Sequence, residues 1–306
     1  KNLKCIGILI LSDVIRQDAK TTLDYFKRQD VDIKIISGDD PVTVSAIARR
    51  CHLLNYEHYI DVSSLSDEQI KEAIEKYTIF GRVSPKQKQL MVNALQENNH
   101  TVAMTGDGVN DVLALKAADC SIAMASGSDA AKSASHIVLL KNNFNAMPHI
   151  VNEGRRVINN ITASASMYLI KTIFSVVLSI GMILFGHGYP FKPIQLTVIS
   201  ACCVGIPTFF LTYEPNFKRV SGDFLKTVFK NAFPFAFMIA ICSTIIVNGG
   251  RVLGLEKEML STICVLLTSW CYYSGLRHIY SPLSHYRSFV IHIMQIVLYI
   301  SLIVGH

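Results

Sequence analysis

The segment Met104-Thr105-Gly106-Asp107-Gly108-Val109-Asn110-Asp111 places two carboxylates and an amide on a glycine-punctuated turn, directly after the apolar run Thr101-Val102-Ala103-Met104. That arrangement suits chemistry on a phosphoryl group. A strand delivers the turn, glycine lets backbone come close to a ligand, and hard carboxylate oxygens hold Mg²⁺. Asp107 is the first candidate ligand. Its plain alternative is a turn-forming Asp before Gly. Asp111 reads equally as support for the metal and its waters or as an acid at the positive end of a helix. Asn110 can donate to a phosphoryl oxygen or cap that helix.

These residues need elements to position them, and the first 150 residues alternate strands with helices. Cys5 to Leu11 is an apolar run ending in Ser12-Asp13. A helix is expected over Ala19–Lys27 and a strand over Val31–Ile36, which ends in Ser37-Gly38-Asp39-Asp40. Pro41 opens a helix through Arg50, as Pro at a first helical position should. Tyr77–Val83 is a short strand and Pro85–Glu97 a helix. Thr101–Met104 is a strand, followed by a helix over Asn110–Ala117 and strands over Cys120–Met124 and His136–Leu140. Such alternation implies a parallel sheet covered on both faces. Ligands of such sheets sit at the carboxyl ends of the strands, where Asp13, Ser37-Gly38-Asp39 and Thr105-Gly106-Asp107 fall.

Half of the 306 residues are hydrophobic and 17% are charged. This is too apolar for one ordinary soluble domain, and the excess lies in the second half. Apolar stretches occur near 167–185, 194–213, 232–247, 259–273 and 289–304. A membrane helix needs about 20 apolar residues. The first two stretches qualify outright, and the later three do so with their polar flanks. The odd number points to a missing last helix. Lys218, Arg219, Lys226 and Lys230 follow the second span, and Arg277 and Arg287 the fourth. Outer turns carry Lys192, Arg251 and Lys257 beside Glu256 and Glu258. Positive charge thus favours the side of the head, which is placed in the cytoplasm. The net charge of +6 reads as that loop bias. No basic run with interleaved aromatics argues for a nucleic-acid partner. The eight cysteines form no C-x-x-C pair, so zinc and thioredoxin-like readings are weak.

Four ordered blocks resemble the P-type ATPases, the cation-pumping branch of the haloacid dehalogenase superfamily. Ser12-Asp13-Val14-Ile15-Arg16 resembles a D-P-x-R segment without its Pro. Ile36-Ser37-Gly38-Asp39-Asp40 is similar to a T-G-D-N block. Phe80-Gly81-Arg82-Val83-Ser84-Pro85-Lys86-Gln87-Lys88 is similar to F-A-R-V-x-P-x-x-K. Thr105 to Asp111 matches T-G-D-G-V-N-D without departure. Gly154 to Asn160 resembles the linker entering the fifth membrane helix, and Pro193-Ile194-Gln195-Leu196 the start of the sixth. The likeness covers essentially the whole chain. It implies a partial Rossmann-like (α/β) phosphorylation domain over 1–150, a linker over 151–166 and an all-α membrane bundle over 167–306.

The resemblance also implies roles. The family phosphorylates an aspartate in a D-K-T-G-T motif, which this chain does not contain. The expectation is therefore a fragment whose partner is the missing N-terminal portion of the same pump, inactive alone. ATP and Mg²⁺ are the implied cofactors. Asp107 and Asp111 are assigned to the metal. Lys88 acts as a point charge on the transferring phosphoryl group, against the plain reading of a solvated helix face. Ser37 offers a hydroxyl and Gly38 a backbone N–H to the same group, while Asp39 orders the loop. Thr105, Gly106 and Asn110 complete the set. Asp13, Arg16 and Arg82 are nucleotide-side contacts, a surface ion pair being an equal alternative for Asp13 and Arg16.

Transport is less legible. The sixth helix reads Ser200-Ala201-Cys202-Cys203-Val204, without the acid that calcium and sodium/potassium pumps carry there. The fifth has Lys171, Thr172 and Ser175 and no acid. Pro207 interrupts the sixth span, and such breaks often line a site. Thr172, Ser200 and Cys203, with Thr268 and Ser269 on the fourth span, are the pathway candidates. Cys202-Cys203 read as buried small residues before they read as soft-metal ligands. Lys171 is expected to snorkel to the cytoplasmic interface. The function expected is an ion pump of the plasma membrane, in contact with membrane lipids and carrying a cation, calcium included. The alternatives are a lipid- or polyamine-moving pump and an inactive membrane adaptor.

Overall fold

The structure is a computed structural model that describes residues 17–220 and 222–304. The Cys5–Leu11 run, Asp13 and Arg16 lie outside the described residues. The chain divides into two compact units, Lys1–Val151 and Asn152–His306.

The first unit is built of short parallel strands wrapped in helices. Its elements are α1 (Gln17–Arg28), β1 (Ile35–Ile36), α2 (Pro41–Arg50), β2 (Tyr59–Asp61), α3 (Asp67–Lys76), β3 (Ile79–Gly81), α4 (Pro85–Glu97), β4 (Ala103–Gly106), α5 (Val112–Ala117), β5 (Cys120–Met124), α6 (Asp129–Ala134) and β6 (Ile137–Leu139). A single 3₁₀ turn, Val109–Asp111, precedes α5. The strands form two parallel ladders rather than the one sheet expected. Their orders are β1-β3-β2 and β4-β5-β6. Among the described residues no ladder joins the two.

Strand alternation explains the packing on β3. Phe80 points into a cluster with Val62, Ile70, Ile74 and Met91. Ile79 points to the other face, against Val44 and Ala48 of α2. Successive strand residues face opposite sides, so β3 is covered by helices on both. Complete burial of Phe80 contributes about 1.5–3 kcal/mol. The helix starts follow from local chemistry. Asp40 accepts from the Val42 N–H at 3.0 Å ahead of Pro41. Ser84 and Gln87 form a capping box ahead of α4, satisfying N–H groups that a first turn leaves open.

The second unit is helical. Five helices are long and apolar enough to cross a membrane: Ala146–Leu184, Pro193–Leu211, Phe224–Val252, Lys257–Ile279 and His285–Ile303. They comprise α7 (Ala146–Leu184), α8 (Pro193–Ile199) continuing through a π-helical turn, Ser200–Gly205, into α9 (Ile206–Leu211), then α10 (Phe224–Val252), α11 (Lys257–Ile279) and α12 (His285–Val304). On α7 the buried residues Ala163, Met167, Ile170, Phe174, Leu178 and Met182 recur every three or four positions, one stripe of a helix. Tyr168, Val176, Ile180 and Ile183 lie exposed on the same helix. A bundle that shows large apolar side chains outward is suited to lipid.

Three details of the bundle go beyond what hydropathy shows. The third span is longer than its apolar core, because Asp223 caps it, accepting from Leu225 N–H at 2.8 Å, and nothing stops it before Gly254. The sixth-helix equivalent is widened at Ser200–Gly205 rather than broken. Pro207 removes one i→i−4 donor, and the helix continues around the loss. Lys171 finds a partner on the neighbouring span. Its ammonium donates to Ser200 Oγ at 2.7 Å.

Candidate active site

The first turn of α4 gathers the site of the first unit. Val83, just before α4, donates its N–H to Ser37 O at 3.0 Å, and Ser37 donates to Phe80 O at 2.9 Å. This ties the Ser37-Gly38-Asp39 turn to the end of β3. Inside the turn Ser37 Oγ donates to Asp39 Oδ2 at 3.2 Å and accepts from the Asp39 N–H at 3.1 Å. The Ser37 hydroxyl thus holds the turn closed. Arg82 N–H donates to Asp39 O at 2.8 Å, so Asp39 ties the turn to the residue after β3. Among the described residues no protein acceptor takes the Gly38 N–H.

One turn into α4, Lys88 Nζ lies 2.6 Å from Asp111 Oδ1, and both side chains are only 11% exposed. An ammonium near a helix N-terminus opposes the helix dipole, so the Asp111 carboxylate offsets an otherwise costly placement. The second oxygen of Asp111 accepts from the Gly108 N–H at 3.1 Å. Asp111 therefore clamps both Lys88 and the 105–111 turn. The clamp depends on Gly106. A side chain there would put Cβ 2.7 Å from Asp111 Cβ and 2.9 Å from Oδ2.

Asp107 is different. Its carboxylate is exposed and has no hydrogen bond or ion pair among the described residues. Its backbone oxygen is anchored, accepting from Ser128 N–H at 2.8 Å. Thr105 and Asn110 are likewise exposed. The donor set fits a hard cation: one free carboxylate held on a fixed turn, with oxygen-bearing neighbours. Mg²⁺ takes one or two carboxylates and keeps waters. Among the described residues no group of three or more His, Cys, Asp or Glu forms a full cage.

Arg82, at φ +54°, bridges Asp40 at 2.9 Å and Asp61 at 3.2 Å. Hydrogen bonds from Ser63, from its hydroxyl first and then its backbone N–H, with Arg82 further off, hold the Asp61 carboxyl below the usual carboxylate range. Asp61 belongs to β2, a strand that sequence reasoning passes over. Also missed is the Gly127-Ser128 turn under Asp107. A side chain at Gly127 would meet Asp107 O at 2.8 Å. Its legible signal was Gly-Ser-Asp before a small-residue helix.

In the second unit the pathway candidates scatter. Thr172 is exposed, Ser200 half-buried and Cys203 fully buried. Ser200 accepts from Lys171 and donates to Leu196 O at 2.6 Å, at the start of the π turn. Thr268 is fully buried, and its hydroxyl has no hydrogen-bond partner among the described residues. Ser269 donates to Val265 O at 2.7 Å.

Comparison with known proteins agrees with this picture. A model of the haloacid dehalogenase-like hydrolases matches residues 2–119. The probable cation-transporting ATPase exp7 of Streptococcus pneumoniae is 43% identical over 274 residues, 87% of this chain and 35% of that protein. The calcium-transporting ATPase CtpE of Mycobacterium bovis is 40% identical, over 86% of this chain and 35% of that one. A calcium-transporting ATPase of Bacillus subtilis is 32% identical, over 74% and 26%. The chain thus spans about a third of the length of these two cation-transporting relatives. With its dehalogenase-like head, its multi-pass helices and this likeness over most of its residues, the chain belongs to the P-type cation-transporting ATPases.

Proposed function

We propose that this chain supplies phosphoryl-handling groups and membrane helices to an ATP-driven ion pump. The observation that carries the reading is the contrast on one turn. Asp111 is spent on Lys88 and Gly108 N–H, while Asp107 stands free on an anchored backbone. Asp107 is the direct ligand for Mg²⁺, and Asp111 acts through Lys88 and the turn. Bound there, the ion supplies charge neutralisation of the phosphoryl oxygens. Lys88 presents its ammonium to the transferring group from a fixed position. The Gly38 N–H and the Asn110 amide offer further donors, and Thr105 and Gly106 shape the floor. Phosphoryl transfer rests mostly on positioning and electrostatics, and these residues supply both. Arg82, Asp13 and Arg16 are proposed for the nucleotide side.

The domain reading extends this: 1–150 belongs to the phosphorylation domain, 151–166 links it, and 167–306 carries the pathway. The head is cytoplasmic and the membrane is the plasma membrane. The cargo is an inorganic cation, and the names of the relatives favour calcium. Thr172, Ser200, Cys203 and Thr268 are the proposed pathway residues. The middles of the spans hold no Asp or Glu, so hydroxyl and carbonyl oxygens carry the coordination. The same lack favours the second reading, a pump of lipid or polyamine.

The test is ATPase turnover of the full-length parent in vesicles against Ca²⁺, Mn²⁺, K⁺ and polyamines, with Asp107→Asn as control. Stimulation by one metal ion that disappears in Asp107→Asn supports the cation pump. Turnover that responds to polyamine or lipid and to no metal ion overturns it.

A further inference from the structure

The connection between α7 and α8, with the start of α8, meets the end of α10 and the start of α11 at one end of the membrane unit. Three contacts join them: Lys192 Nζ to Glu258 Oε1 at 3.2 Å, Arg251 Nη1 to His187 Nδ1 at 2.7 Å and Ser261 Oγ to Gln195 Oε1 at 2.9 Å. Between them lies a cavity of about 240 Å³ whose walls include Tyr189, Phe191, Lys192, Arg251, Lys257 and Glu258.

The charge of this cavity is unbalanced. Its one carboxylate, Glu258, is engaged by Lys192. His187 is held between two partners by a chain of hydrogen bonds. Asn248 Nδ2 donates to Thr244 O at 2.8 Å, which turns Asn248 Oδ1 toward His187 Nε2 at 2.9 Å. The other ring nitrogen, Nδ1, faces the Arg251 guanidinium, a group that can only donate. Arg251 is thereby oriented by a partner that is not a carboxylate, and most of its N–H groups stay unspent among the described residues. Lys257 has no partner among the described residues. Two cations thus stand over for an anion, at the side of the membrane where loop charge is otherwise sparse.

The surroundings identify the anion. Val252 and Leu253, next in sequence to Arg251, are 87% and 77% exposed, and Leu184 at the end of α7 is 79% exposed. Fixed cations beside exposed apolar side chains match a ligand with a phosphate and acyl chains. Guanidinium pairs with phosphate through parallel N–H bonds. We infer that this cavity binds the phosphate of an anionic phospholipid in the leaflet bordering this end of the unit. The inference rests on the chain spanning a membrane and is independent of what the pump carries.

The test is the thermal unfolding midpoint of the full-length parent in detergent. Phosphatidylglycerol is added against phosphatidylcholine, with glycerol 3-phosphate and inorganic phosphate as soluble arms. Phosphatidylglycerol should raise the midpoint, since a ligand of the folded state stabilises it. The double variant Arg251→Gln, Lys257→Gln should lose most of that rise. Lys230→Gln, in the charged stretch after the second span, should keep it. Lys257→Gln alone, which removes an exposed side chain, should lose part of the rise and keeps the test open if the double variant does not fold. A rise undiminished in the variants, or an equal rise with phosphatidylcholine, overturns the site. An equal rise with inorganic phosphate overturns the lipid as its source.

Discussion

The site in the head and the middles of the membrane spans handle charge in opposite ways. In the head, cations are matched with carboxylates: Lys88 with Asp111, and Arg82 with Asp40 and Asp61. Asp107, beside them, has no such partner among the described residues and sits on a turn that its neighbours anchor. In the membrane unit the middles of the spans contain no carboxylate to match with. Thr162, Ser166, Ser179, Thr208 and Thr244 return their hydroxyls to the carbonyl four residues back. Lys171 settles on a neutral hydroxyl, Ser200. A half-aqueous site can use ion pairs to leave one group reactive. A lipid-facing bundle satisfies polar groups within each helix, and any polar group outside that rule becomes conspicuous.

Breaking the head's pairing should have the largest effect. Lys88→Ala removes the cation proposed for the phosphoryl group and leaves the buried Asp111 carboxylate without its ion-pair partner. Turnover of the full-length parent should fall by about 10²–10³-fold, with Lys88→Arg retaining part of it. Steady-state ATPase assays read both. Gly106→Ala comes next. Its Cβ must displace Asp111, so the turn opens at a cost of about 1–3 kcal/mol. A lower unfolding midpoint together with reduced turnover is expected.

The bundle's counterpart is Ser200→Ala, which strips Lys171 of its acceptor. The loss should be about 1–3 kcal/mol, the cost of leaving a buried polar group unsatisfied. Lys171→Met should cost less than that, because it removes the charge along with its need. The double variant should fall short of the sum of the two, as midpoints in one detergent would show.

The smallest effect concerns pH. The Val102 N–H, at 2.8 Å, and then the Gln96 side chain hold the Asp119 carboxyl below its ordinary value. A lowered folded value adds stability above the unfolded value and loses it as pH falls through the lowered one. Asp119→Asn should therefore lower stability slightly at neutral pH and flatten the acid limb of the unfolding curve. Asp119 is fully exposed, so the change should be small.

Much of the head was legible because its signals are local. Pro41 and Pro85 open α2 and α4 where expected, and the Cys120–Met124 run is β5 as read. What escaped was short or faint. β2 spans three residues, and α3 shows only Ile70, Ala73 and Ile74 as an apolar stripe in a charged segment. In the site, residue types and spacing pointed to the 105–111 turn. They could not show that Asp111 is consumed by Lys88, since that pairing crosses 23 positions and depends on how α4 packs on α5. The membrane spans were legible from hydropathy alone, whereas the Lys171–Ser200 contact and the π turn depend on helix rotation, which hydropathy does not encode. The Asp13–Arg16 block lies outside the described residues.

The most direct test of the account is the Mg²⁺ dependence of phosphoenzyme formation from ATP in the full-length parent, comparing wild type with Asp107→Asn and Asp111→Asn. The account predicts that Asp107→Asn raises the Mg²⁺ requirement at least about tenfold, the scale of lost metal-shell groups, with nucleotide binding retained. Asp111→Asn should lower the rate at any Mg²⁺ concentration and leave that requirement nearly unchanged. An unaltered Mg²⁺ dependence in Asp107→Asn would contradict the division of labour on this turn.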